Sequence, residues 1–357
     1  MDLLTIDGSF GEGGGQIVRT GLSLALCTGR SIRISPIRPH RTKPGLRPQH
    51  LTAVQAAVQV SGGHAEGAAV GSLELEFYPG SVRPGAYTIA IGTAGSTSLV
   101  FQTLLPALLT AAAPSRLSLE GGTHNPLAPT FEFIQQAFLP VIDRMGPRVE
   151  AHLERYGFYP AGGGRWSAEI QPCQRLRPLT LLERGAVLEC QAQALLARLP
   201  DHIAQRELQT VAALLAWEPS SLTSLRVASP GPGNCLNLMV RSEQITELFT
   251  GFGQRGVRAE QVARIVAEQV HDYLTAGVPV GEQLADQLLL PLALAGAGEF
   301  LTLRPSRHTL TNQAVIQQCL PVSFENEALT ENVWRVRVGT GKAEKSAANL
   351  DLHPRRL

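Results

Sequence analysis

The chain has 357 residues, of which 44% are hydrophobic and 17% charged, and its formal net charge is +1. That composition describes a globular protein with room for two domains and a substantial core; it excludes a disordered chain and a general polyanion binder. Five scattered cysteines (Cys27, Cys173, Cys190, Cys235 and Cys319) form no Cys-x-x-Cys pair, so neither a disulfide framework nor a zinc site is expected. Reduced thiols in a cytoplasmic protein fit better. Asp2 and Asp7 stand where a secretory signal would be basic, and the longest apolar stretch, Leu99 to Ala113, is too short for a membrane span and contains Gln102, Thr103 and Pro106. No signal and no membrane role are expected.

Leu3 to Ile6 reads as a strand, followed by the turn Asp7-Gly-Ser-Phe-Gly-Glu-Gly-Gly-Gly-Gln16. Its glycines answer to a tight backbone or a closely approaching ligand. No Gly-Lys-Ser/Thr closes the turn and the dinucleotide Gly-x-Gly-x-x-Gly spacing is missing, so on these residues alone a purely structural turn stays open. A helix with Ile17, Val18, Leu22, Leu24, Ala25 and Leu26 on its apolar positions comes next, then the alternating strand Ser31 to Ser35 and a helix from Pro48 to Val60. Between Arg30 and Ala65 there is no acid, while Arg30, Arg33, Arg38, Arg41, Lys43 and Arg47 supply positive charge and His40 and His50 add donors. A local phosphate-binding surface is predicted there.

The same order of glycine turn, helix, strand, loop and helix returns twice. Gly92 to Ser96 opens a helix containing Gln102-Thr-Leu-Leu-Pro106, Arg116 to Glu120 is a strand, Gly121 to Pro126 a loop, and Thr130 to Asp143 a helix. Near the C-terminus, Val280-Gly281 opens a helix containing Gln287-Leu-Leu-Leu-Pro291, Phe300 to Leu303 is a strand, and Thr311 caps a last helix. These are read as an internal repeat of about sixty to ninety residues stacked around a common axis. Equivalence of the units would bring three loops, Arg38 to His50, Gly121 to Pro129 and Arg304 to Asn312, to one cleft, with His308 in the last.

Tyr156 to Arg165 has the composition of a turn between two paired strands, Ala151 to Arg155 and Arg165 to Ile170. Residues 185–277 then break the repeat: a strand (Val187 to Leu196), a helix (Asp201 to Trp217), two strands (Leu222 to Ala228, Cys235 to Val240) and a long helix (Ala259 to Ala276). They are read as a smaller domain inserted into a larger one made of 1–184 and 278–338, and residues 339–357 as a disordered tail.

With these pieces assembled, the sequence resembles the RNA 3′-terminal phosphate cyclases from Asp7 to about Arg337. The motifs are Asp-Gly-x-x-Gly-Glu-Gly-Gly-Gly-Gln at 7–16, Gly-Phe-Tyr-Pro-Ala-Gly-Gly-Gly at 157–164 and His-x-x-Thr-Asn at 308–312. The resemblance implies an α/β (α+β) fold: a large domain of repeated βαβαββ-type units, enolpyruvate transferase-like, with a smaller inserted α/β domain. It implies an ATP-dependent ligase acting on RNA with a 3′-terminal phosphate to give a 2′,3′-cyclic phosphodiester. The route runs through a covalent histidine-AMP on His308 and an RNA-adenylate.

By the same resemblance Glu12 is the metal-proximal carboxylate for Mg2+ or Mn2+, although a glutamate there also suits a helix cap. Gln102, Pro129, Phe133, Gln283 and Asp286 match positions lining the nucleotide pocket, with Pro129 and Phe133 equally readable as a helix start and a core aromatic. Arg19, Arg38, Arg41, Lys43, Gln49 and His50 match or adjoin positions facing phosphates, where guanidinium forks suit phosphate oxygens. Gln283 departs from the pattern: an aromatic residue stacking on the adenine is expected there, so the mode of base binding is left open. Two rival functions share this architecture. A non-catalytic cyclase-like factor of ribosome assembly would lose the nucleophile that His308 supplies, and an enolpyruvyl transferase would need none.

Overall fold

The chain runs through one plan three times in the computed structural model, which describes residues 3–341. The first unit is β1 (Leu4–Ile6), α1 (Gly15–Thr28), β2 (Ile32–Ile34), α2 (Pro48–Ser61), β3 (His64–Glu66) and β4 (Leu75–Tyr78). The second is β5 (Ala86–Ala90), α3 (Thr97–Leu108), β6 (Ser115–Gly121), a π-helical turn (Phe133–Phe138) leading into α4 (Leu139–Arg144), β7 (Arg148–Arg155) and β8 (Gly164–Gln171). The third begins with β9 (Leu179–Leu181) and is interrupted by β10 (Val187–Ala197), α5 (His202–Leu215), β11 (Leu222–Arg226), β12 (Gly233–Ser242), β13 (Thr246–Phe252) and α6 (Ala259–Ala276). It resumes as α7 (Glu282–Ala295), β14 (Gly298–Thr302), α8 (Arg307–Cys319), β15 (Val322–Ala328) and β16 (Trp334–Thr340).

Pairing shows the equivalence of the units. Their sheets have the orders β1-β2-β4-β3, β5-β6-β8-β7 and β9-β14-β16-β15. In each, the first two strands are parallel and the remaining pairs antiparallel. A parallel pair needs a crossover, which α1 and α3 supply directly. Between β9 and β14 the crossover also contains a fourth sheet, β11-β10-β12-β13, before α7 completes it. The fold is therefore mixed α/β built on repeated βαβαββ units.

Helix α1 packs against α2, α3 and α8, so it is buried on nearly every face, with Gln16, Arg19, Thr20 and Ser23 as a polar stripe along one of them. Leu22, fully buried within it, exemplifies the core; Leu22→Ala is expected to cost ~2–5 kcal/mol in denaturant unfolding.

Several expectations need correction. Thr311 does not cap the last helix: Ser306 does, its Oγ accepting from Thr309 N, and α8 starts at Arg307, so His308 lies in its first turn. The helix expected from Thr130 to Asp143 contains the π-helical turn. The tail expected from Gly339 starts too early, because β16 continues to Thr340; residues 342–357 lie outside the described residues. Strands β15 and β16, which the sequence reading did not include, alternate apolar residues toward the core (Val322 and Phe324; Trp334, Val336 and Val338) with charge on the outer face, where Arg335–Glu327 and Arg337–Glu325 both lie at 3.3 Å across the ladder.

Candidate active site

The loops after the second strand of each unit converge on one cleft of roughly 1160 Å³. Arg38, Arg41, Gln49 and His50 line it from the first unit, Pro126 to Pro129 from the second, and Ser306, His308 and Asn312 from the third. The glycine turn is docked against α8. Thr311 Oγ1 accepts from Glu12 N at 3.1 Å and donates to Arg307 O at 2.7 Å, while Arg307 Nη2 donates to Gly11 O at 3.0 Å. Gly11 sits at φ +59°, and a Cβ there would collide with the Thr311 hydroxyl. Contact between residues some 300 positions apart in sequence thus fixes where Glu12 points.

His308 Nδ1 lies 3.0 Å from Asp286 Oδ1, and its Nε2 lies 4.0 Å from Glu12 Oε2. Asp286 is buried and held on all sides: Oδ1 also accepts from Gln16 Nε2 at 3.0 Å and Asn312 Nδ2 at 3.3 Å, and Oδ2 accepts from Gln287 Nε2 at 3.1 Å. A carboxylate with amide donors around it keeps Nδ1 as the protonated nitrogen of neutral imidazole, which leaves the Nε2 lone pair free. Burial pushes the His308 pKa down, but the hydrogen bond and charge of Asp286, helped by Glu12, outweigh it and hold the pKa above the ordinary value. Placement in the first turn of α8 also puts the ring at a helix N-terminus, a favourable place for an incoming phosphate.

The basic side of the cleft is built differently. Arg41 Nη2 meets Glu12 Oε1 at 2.5 Å, neutralising the carboxylate partly in advance. Arg38 occupies the left-handed region at φ 50°, and its Nη1 donates to Lys43 O (3.0 Å) and Gly45 O (2.8 Å), so one edge of its guanidinium shapes the basic loop. Arg19 is lowered to about 10, chiefly by burial, with Asp286 and Glu12 working against the shift. His50 is pushed down to about 3 by burial and then by Arg19, Arg38 and Arg47. Its Nδ1 accepts from Arg47 N at 3.1 Å, so a neutral ring presents Nε2–H. Gln49 Oε1 accepts from Ser96 N at 3.3 Å and ties the first unit to the start of α3.

Two expected residues lie elsewhere. Phe133 is fully buried in the core and does not line the cleft, and Lys43 is exposed beyond it. Gln102, Pro129, Gln283 and Asp286 do line it. Gln102 and Gln287, at the same position of their helices, are hydrogen-bonded to each other, so the repeated Gln-x-Leu-Leu-Pro run brings α3 and α7 together above the site. Sequence reasoning noted that run without seeing its use. It gave no role to Gln16, which closes the glycine motif and reaches Asp286.

No group of three or more His, Cys, Asp or Glu side chains able to hold a metal ion exists among the described residues. Glu12, with Oε2 turned toward His308, nevertheless suits the usual manner of holding Mg2+, through one or two carboxylates and substrate phosphates.

A family model described as RNA 3′-terminal phosphate cyclase matches residues 10–326. The chain belongs to the RNA 3′-terminal phosphate cyclase family. Proteins of that name from Koribacter versatilis and Pseudomonas fluorescens are 50% and 52% identical to it, covering 95% and 94% of this chain and 96% and 98% of theirs. One from Salmonella typhimurium is 48% identical over 94% of this chain and 98% of its own. A solved EPSP synthase from Acinetobacter baumannii aligns over 91% of this chain and 62% of its own, with a TM-score of 0.30 and 10% identity, too slight to bear on the fold. Of the three cyclase motifs, two meet at the cleft. The third, at 157–164, backs the second unit's loop: Gly157 O accepts from Thr123 N (2.9 Å) and His124 N (3.1 Å). A Cβ at Gly157 would strike Gly164, so these glycines permit close backbone approach.

Proposed function

We propose that the protein uses ATP to convert an RNA 3′-terminal phosphate into a 2′,3′-cyclic phosphodiester through a covalent adenylate on His308. One observation carries this reading: Nδ1 of His308 is committed to Asp286 while Nε2 is left free at the cleft. Nε2 attacks the α-phosphorus of ATP, a nitrogen–phosphorus bond forms, the bond to the bridging oxygen breaks, and pyrophosphate leaves. The ring becomes cationic in that step. The Nδ1–H bond to Asp286 stabilises that charge, as a buried carboxylate does for the histidine of a serine-protease triad. An oxygen of the RNA 3′-phosphate next attacks the adenylate, and His308 departs as neutral imidazole. The ribose 2′-OH then attacks the activated RNA phosphorus, closes the cyclic diester, expels AMP and yields its proton to solvent.

Arg19, Arg38 and Arg41 offer guanidinium donors to the phosphates, and neutral His50 offers Nε2–H without adding charge. Gln102, Pro129, Gln283 and Asp286 would border the nucleotide. A Mg2+ or Mn2+ ion would be held by Glu12 together with the triphosphate and would supply charge to the departing pyrophosphate.

Incubation with magnesium and ATP labelled at the α-phosphate is expected to leave label on the wild-type protein and none on His308→Ala; equal labelling of both would remove His308 from the mechanism. An RNA ending in 2′-deoxyribose 3′-phosphate is expected to stop at the adenylylated stage because the attacking hydroxyl is missing. Its complete turnover with release of AMP would contradict the last step.

A further inference from the structure

The segment between β9 and α7 contributes two acidic side chains to the lining of the cleft, Glu247 and Asp272, and Glu247 bonds to the start of α7. Glu247, on β13, is buried and lines the cleft, and its Oε1 accepts from Gly281 N at 2.5 Å. Gly281 is the N-cap of α7, the helix that carries Gln283, Asp286 and Gln287 within its first two turns. In a capping box the N–H of the N-cap residue is met by a carboxylate or amide at the third helical position; in α7 that position is Leu284, so the acceptor comes from another sheet. The fit is close: a Cβ at Gly281 would sit 3.2 Å from the Glu247 carboxyl carbon. On its other side the same junction is fixed by Val280 N donating to Leu301 O at 3.2 Å and by Tyr273 Oη donating to Pro279 O at 3.0 Å.

We propose that Glu247 is a positioning residue through which the β10–α6 segment sets the start of α7, and hence the Asp286 carboxylate that orients His308. This rests on the adenylylation reading for its consequence but not for its geometry. Three of the four partners of Asp286 lie outside α7, Gln16 on α1 and His308 and Asn312 on α8, so a small displacement of α7 loosens those three together. The link also gives the interrupting segment a task in the site without contact to the nucleophile. Burial pushes the Glu247 carboxyl up to about 8, against the backbone hydrogen bonds from Gly281 and Leu248, so near neutrality the side chain is largely uncharged and glutamine is its closest imitation.

Three variants test this in the full-length protein: Glu247→Ala, Glu247→Gln, and Glu207→Ala as a control. Glu207 is buried in the same segment on α5 and bonded to Asn234 at 3.0 Å rather than to α7, so its replacement perturbs the segment without touching the cap. Hydrogen exchange read by mass spectrometry over residues 281–287 is expected to quicken in Glu247→Ala and to stay at the wild-type rate in Glu247→Gln and Glu207→Ala. The rate of self-labelling at saturating α-labelled ATP is expected to fall at least about tenfold in Glu247→Ala, and by no more than about threefold in the other two. Unchanged exchange over α7 in Glu247→Ala overturns the proposal whether or not the protein labels. So does equal slowing by Glu207→Ala, which would trace the effect to general loosening. Absence of label on the wild-type protein, with the exchange pattern as expected, would count against the adenylylation reading alone.

Discussion

His308 and His124 occupy equivalent places, each in the stretch that follows the second strand of its unit, and each is bonded to a carboxylate. Their remaining nitrogen separates them. His124 is fully buried with Nε2 2.7 Å from Glu132 Oε2 and Nδ1 2.8 Å from Thr123 Oγ1, beside the rings of Tyr156 (5.1 Å) and Phe158 (5.0 Å). His308 is 39% exposed and bonds through Nδ1 only. A histidine–carboxylate pair is therefore not in itself a catalytic device. One ring nitrogen must be left over, and room must exist for phosphorus to approach it.

The sharpest way to break this contrast is Asp286→Asn. An amide at that position can donate to Nδ1, moving the imidazole proton to Nε2 and removing the free lone pair, so the rate of self-labelling is expected to fall ~10²-fold or more with the fold intact. A loss of less than about threefold would mean that the partner of Nδ1 does not govern the nucleophile. His124→Ala should do the reverse. It leaves the buried Glu132 carboxylate without its partner, at a cost of ~3 kcal/mol in denaturant unfolding, while the folded protein labels within about twofold of wild type. A variant that stays stable but cannot be labelled would give His124 a part in the chemistry.

The titration of His308 gives a further test. The His308 pKa lies above its ordinary value, so the protonated, non-nucleophilic ring persists to higher pH, and the labelling rate of the free enzyme is expected to climb with a midpoint above about 6.5. Removal of the carboxylate in Asp286→Ala leaves burial as the main influence and should shift that midpoint down. As a stability term the sign is opposite: the raised His308 pKa favours the folded state fully below the unfolded value and loses that contribution as pH rises through the folded one. His50, lowered to about 3, stays neutral across the whole range and adds no second step.

The repeat, its interruption and the convergence of three loops were legible because apolar periodicity and the two Gln-x-Leu-Leu-Pro runs report on local burial. What stayed hidden depends on contacts remote in sequence. Nothing near Thr311 says that its hydroxyl belongs to Glu12 rather than to a helix cap, and nothing near Gln16 points to Asp286. Phe133 shows the limit of carrying roles over by motif: its position matched a pocket residue, yet an apolar ring at the start of a π-helical turn is buried in the core.

The smallest expected effect concerns the basic loop. Lys43 was grouped with Arg38 and Arg41 by spacing and charge, but its side chain is exposed outside the cleft, and only its carbonyl is engaged, by Arg38. Lys43→Ala keeps that carbonyl, so the loop should hold its shape and RNA cyclisation should change by less than about twofold, as is usual for an exposed charge. Arg41→Ala, by contrast, removes both a donor at the cleft and the partner of Glu12. Measuring both on one RNA over a range of salt tells whether the loop works by geometry or by charge alone. Equal losses, with equal decreases in salt dependence, would mean that net positive charge suffices and that the seating of Arg41 on Glu12 has no separate importance.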